Sequence, residues 1–120
     1  MAVSPKEFYK LREENKCLRQ IVSNKVVEID KIMLELTKGD VTDYVTVILE
    51  GGLSDKICKD IAEEYIEAGW DTVYYRINFG KVENTTEFVF CTKLGSHNFV
   101  RDVINKQELK YDVVKKKRIP

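Results

Sequence analysis

Between Pro5 and Gly39 the chain contains neither glycine nor proline, and its apolar residues return in a four-three rhythm. With Phe8 as heptad position a, the a and d positions are Phe8, Leu11, Asn15, Leu18, Val22, Lys25, Ile29, Ile32 and Leu36, and seven of these nine are apolar. Such a repeat draws one stripe along an α-helix, and it is the seam of a coiled coil. The start is marked as well. Ser4 suits the N-cap, Pro5 the first helical position, and Glu7 completes a capping box. A helix from Pro5 to about Thr37 is roughly 50 Å long, more than the remaining ~80 residues can cover along one side.

The seam divides in two. In its first half Glu7 and Glu14 fall at g, Arg12 and Arg19 at e, so that in a parallel pair Glu7 faces the partner's Arg12 and Glu14 the partner's Arg19. Asn15 is then the a-position amide that sets register and favours two strands at some cost in stability. Past Lys25 the apolar face widens to take in Val26 and Met33. The first half, through Phe8, Leu11, Asn15, Leu18 and Val22, is therefore expected to join two or more copies, and the second to pack on its own domain.

VTDYVTVILE (41–50) alternates and is rich in β-branched residues, so it reads as a strand. Ser54 caps a second helix with apolar positions Ile57, Cys58, Ile61, Ala62, Tyr65 and Ile66; Gly69 ends it, and Trp70 is placed for the contact of a Schellman motif. DTVYYRINFG and TEFVFCTK (71–80 and 86–93) form a hairpin. Ser96 caps a third short helix carrying Phe99, Val100, Val103 and Ile104. Residues 107–114 fit either more helix or a last strand, because both periods are present. The expected fold class is α+β: a long N-terminal helix, coiled-coil-like in its first half, before a small β-sheet with one or two packed helices. Its divisions are an oligomerisation helix (1–38), a compact domain (39–114) and a basic tail (115–120).

Twenty Lys plus Arg balance twenty Asp plus Glu, so no global field draws the chain to nucleic acid or an anionic membrane. Cys17, Cys58 and Cys91 are widely spaced, with His97 the sole histidine; that pattern suits reduced thiols in a cytoplasm and neither a metal centre nor a Cys–His nucleophile. Gly51-Gly52-Leu53-Ser54 lacks the lysine of a phosphate loop. No catalytic residue, cofactor or membrane span is expected.

The strand faces carry the candidate site. Val73, Tyr75, Ile77 and Phe79 share one face with Phe88 and Phe90 and suit a core. The opposite face carries Tyr74, Arg76 and Asn78, with Cys91 and Lys93 from the next strand and Tyr44 and Thr46 from the first. Tyr, Arg and Asn interleaved in this way suit a planar anionic ligand or a partner loop; the alternative is a solvated face, or one covered by the first helix with Arg76 in a salt bridge at its edge.

The segment IAEEYIEAGWDTVYYRINFG followed by TEFVF is similar in style to small α+β proteins encoded by bacteriophages, in which a helix ends in Gly-Trp and leads straight into a hairpin. The likeness spans about residues 54 to 93. A long first helix before a small sheet also resembles phage anti-defence proteins that sequester nucleotide signals. The seam and the missing catalytic signature lead to the expectation of a non-catalytic homodimer; the resemblance implies an accessory or inhibitory role, engaging a host protein or a small nucleotide-like anion in the host cytoplasm. The alternative is a nucleic-acid-binding regulator using Lys115 to Arg118 with Arg101 and Lys106.

Overall fold

The computed structural model describes residues 2–37 and 43–116. Helix α1 spans Pro5–Leu36. The Ser4 hydroxyl accepts from the Glu7 amide at 3.2 Å and the Glu7 carboxylate accepts from the Ser4 amide at 3.4 Å, a closed capping box. Strands β1 (Tyr44–Glu50), β2 (Thr72–Asn78), β3 (Thr85–Cys91) and β4 (Asp112–Lys115) form one antiparallel sheet in the order β1-β3-β2-β4. Of the segment expected to be the first strand, Val41 and Thr42 lie outside the described residues, as do Lys117 to Pro120 of the tail; Lys115 ends β4.

One sheet face buries Val47, Leu49, Val73, Tyr75, Phe88 and Phe90 beneath α1 and α2 (Asp55–Glu67). The period-two pattern predicts these inward residues, and β3, central in the sheet, brings the two phenylalanines into a near-parallel stack with centroids 5.9 Å apart. Ser54 caps α2, its hydroxyl accepting from the Ile57 amide at 3.3 Å. At the other end Gly69 takes φ +120°, so its amide reaches the Ile66 carbonyl and the Trp70 amide reaches the Tyr65 carbonyl, each at 3.1 Å. That pair of bonds is the Schellman motif. It turns Trp70 onto the core, 6.1 Å from the Phe90 ring. The Tyr65 hydroxyl ties α2 to α1, donating to Asp30 Oδ1 at 2.7 Å and to the Val26 carbonyl at 3.2 Å.

The second face is also a core, covered not by the first helix but by the helical run that follows β3. Helix α3 (Lys93–Phe99) runs on through a π-helical segment, Val100–Ile104, into the short α4 (Asn105–Gln107), and Phe99, Val100, Val103 and Ile104 pack on Tyr74, Val89 and Cys91. The expected cap at Ser96 is replaced by Thr92, whose hydroxyl accepts from the Gly95 amide at 3.0 Å and donates to the Asp43 carbonyl at 3.2 Å. The earlier start depends on Gly95, since a Cβ there would lie 1.8 Å from the Asp43 carbonyl oxygen. After Gln107 the chain turns through Glu108, at φ +51°, and returns as β4 along β2, so residues 107–114 contain a helix end and a strand start.

Burial leaves an alkaline signature. Cys58 and Cys91 are fully buried, and burial pushes their thiols up from the ordinary 9.0 to about 11 and about 12. Burial likewise raises Tyr65, Tyr75 and Tyr111 above the ordinary phenol range. A folded-state pKa above the unfolded one contributes stability that is intact below the unfolded value and lost as pH rises towards the folded one. Urea unfolding should therefore show constant stability from pH 7 to 8.5 and a loss of about 3 kcal/mol by pH 10 from the two thiols. A flat profile to pH 10 would contradict this placement of the cysteines.

Candidate functional site

The register sets out the second sheet face in rows. Tyr44, Cys91 and Thr72 form one, Thr46, Val89 and Tyr74 the next, then Ile48, Glu87 and Arg76, then Glu50, Thr85 and Asn78. The α3–α4 run covers the first row and, in the second, Val89 and Tyr74, and leaves Thr46 and the last two rows at the rim. Tyr74, expected to offer a stacking face, is only 6% exposed: its ring lies 5.0 Å from Phe99 and its hydroxyl 2.9 Å from Ser96 Oγ. Tyr44 is half-buried, edge-on to Phe99 at 5.3 Å. Thr46 is exposed. Lys93 does not share the face at all; β3 ends at Cys91 and Lys93 opens α3.

Arg76 and Asn78 do come together, on Glu87. Asn78 Nδ2 donates to Glu87 Oε1 at 3.4 Å, and the Tyr111 hydroxyl donates to Oε2. Arg76 Nε lies 3.4 Å from the same Oε2, an ion pair without hydrogen-bond geometry, so this buried N–H has no acceptor among the described residues. The guanidinium carbon sits 4.9 Å over the Tyr111 ring. Burial first, then the bond to Glu87, raises the Tyr111 pKa, so its proton stays on the phenol through the physiological range. Sequence reasoning missed Glu87 and Tyr111. Glu87 was within reach, because period two places a carboxylate two residues before Val89 on the face of Arg76; Tyr111 precedes β4 and depends on a chain return that no local pattern announces.

Chemically this is a closed set: a carboxylate matched by a guanidinium, two neutral donors, and a ring beneath the cation. It offers neither a base beside a nucleophile nor a free cation for an anion. Among the described residues no cluster of His, Cys, Asp or Glu could hold a metal ion, and no helix is long and apolar enough to cross a membrane.

The other candidate is the outer half of α1. Phe8 is 56% and Leu11 51% exposed, Asn15 is exposed, and Leu18 is half-buried where the helix meets its domain. Val22, expected at the contact between copies, is 8% exposed and belongs to the chain's own core. Between α1 and α2 lies a cleft of about 470 Å³, with Asn15, Leu18 and Arg19 on one wall and Asp60, Glu63 and Glu67 on the other. No family model, no curated protein and no solved structure matches this chain.

The Arg76 side chain is 28% and the Glu87 side chain 11% exposed. Arg76→Ala should therefore destabilise the fold by about 2 kcal/mol, less than for a fully buried pair because solvent reaches the guanidinium. Thr46→Ala, on an exposed side chain of the same face, should change stability by less than about 0.5 kcal/mol. If denaturation places both variants within that smaller range, the Arg76–Glu87 pair is a screened surface contact.

Proposed function

We propose that this protein acts by stoichiometric binding, as a homodimer joined through the outer half of α1, in the manner of a small accessory or inhibitory protein. One observation carries the reading: the apolar stripe along α1 is covered by the chain's own domain at Val22, Ile29 and Ile32 and uncovered at Phe8 and Leu11. Large apolar side chains repeated on one face of a projecting helix are the usual mark of a protein contact. A second copy is the occupant of choice, because Phe8, Leu11, Asn15 and Leu18 keep the four-three spacing of a coiled-coil seam, which packs against a copy of itself. The helix is already anchored at its other end, so docking does not bear the cost of nucleating it.

For the external partner, the geometry favours a protein over a nucleotide-like anion. An anion would need the Tyr74 ring for stacking and the Arg76 guanidinium for charge, and these are occupied by Phe99 and by Glu87. What remains at the rim of that face is Ile48, 54% exposed, beside Glu87 and between the exposed Thr46 and Glu50 of its own strand. An apolar side chain bordered by polar groups suits a protein surface better than a phosphate.

Static light scattering should show a monomer–dimer equilibrium in the micromolar range. Leu11→Asp should weaken the dimer about 100-fold, equivalent to ~3 kcal/mol, by removing a core side chain and burying a charge. Its melting temperature at monomeric concentrations should be unchanged. Asn15→Val should tighten the dimer, since an amide in an apolar seam reduces stability. A wild-type chain that stays monomeric at high micromolar concentration would defeat the proposal.

A further inference from the structure

We infer that the two copies pair antiparallel, each α1 laying residues 8–18 against the same stretch of the other and directing its N-terminal end into the other's α1–α2 cleft. The inference rests on the homodimer proposed above and fixes its orientation. Eighteen residues make five full helical turns, so Phe8 points the same way as Val26, Leu11 as Ile29, and Asn15 as Met33. Val26, Ile29 and Met33 are all packed into the chain's own core, Ile29 with no exposure. A parallel partner seated on Leu11 would run on alongside Ile29, into space already filled by α2 and the sheet. An antiparallel partner runs off past Pro5 instead, and its domain lies beyond the end of the first helix.

In this arrangement Phe8 meets the partner's Leu18, Leu11 meets the partner's Asn15, and the two-fold axis passes near Glu13. The Glu7, Glu14, Arg12 and Arg19 pattern favours a parallel pair, since antiparallel helices bring Arg12 and Glu14 near their own copies. Those side chains lie at the rim, where water and salt screen them, whereas overlap of two folded chains is forbidden outright. Charge favours the antiparallel pair at the ends. The cleft carries Asp60, Glu63, Glu64 and Glu67 against Lys56 and Arg19, and this excess of carboxylates receives the positive end of the partner's helix dipole.

A spin label on the full chain separates the outcomes. Cys58 and Cys91 are fully buried and protected from the reagent, so Cys17→Ser with Val27→Cys leaves one accessible thiol, at a position 55% exposed and off both contacts. The antiparallel pair places the two labels about 42 Å apart along the helix axes, the parallel pair within ~20 Å. Pulsed dipolar spectroscopy is expected to give the long distance. A short distance would overturn the orientation while leaving the homodimer standing, and no intermolecular distance at high micromolar concentration would overturn both. Glu63→Lys with Glu67→Lys should also weaken dimerisation about tenfold at low salt. An unchanged dissociation constant would remove the cleft from the contact.

Discussion

Everything in this molecule depends on the seating of Ile29. It is the point at which a helix of 32 residues, much longer than the sheet beside it, is fastened to the rest of the chain. The Tyr65 hydroxyl, donating to Asp30 and the Val26 carbonyl, fixes the rotation of α1 about its axis. Once that rotation is fixed, the direction faced by Phe8 and Leu11 follows from helical geometry alone. The outer half therefore presents the stripe that its inner half buries. Its apolar side chains remain in water unless another chain covers them.

The second face of the sheet illustrates a different constraint. Its polar residues, read by alternation, resemble a solvated binding face, yet a small domain has few ways to bury enough surface and this one uses both sides of its sheet. Thr92 and Gly95 allow the chain to turn back within two residues of the end of β3, and the helical run that follows closes over Tyr74. Arg76 and Glu87, at the margin of that cover, are too buried to leave unpaired and are matched to one another, with Tyr111 donating to the same carboxylate oxygen and Asn78 to the other. Polarity on a strand face is thus compatible with a structural network as well as with a site.

What could be read from the sequence was local. The capping box at Ser4, the Ser54 cap and the Gly69–Trp70 terminus each rest on residues within six positions of one another, and each forms as the spacing predicts. The inward face of the sheet was legible for the same reason, since period two needs no knowledge of neighbours. Choices between two adequate local solutions were not legible. Thr92 and Ser96 both suit a helix cap, and only the close approach of Asp43 to Gly95 decides between them. Residues 107–114 satisfy both periods, and pairing with β2 decides where the helix stops. The covering of Tyr74 and the convergence on Glu87 involve residues far apart in the chain, which no window of sequence contains.

The central claim is that one stripe serves two contacts, the inner half within a chain and the outer half between chains. Amide hydrogen exchange along α1, followed as a function of protein concentration, tests it most directly. Residues 22–36 should be protected equally at all concentrations, while protection over residues 8–18 should rise through the micromolar range as copies associate. Protection over residues 8–18 that does not change with concentration would contradict the account.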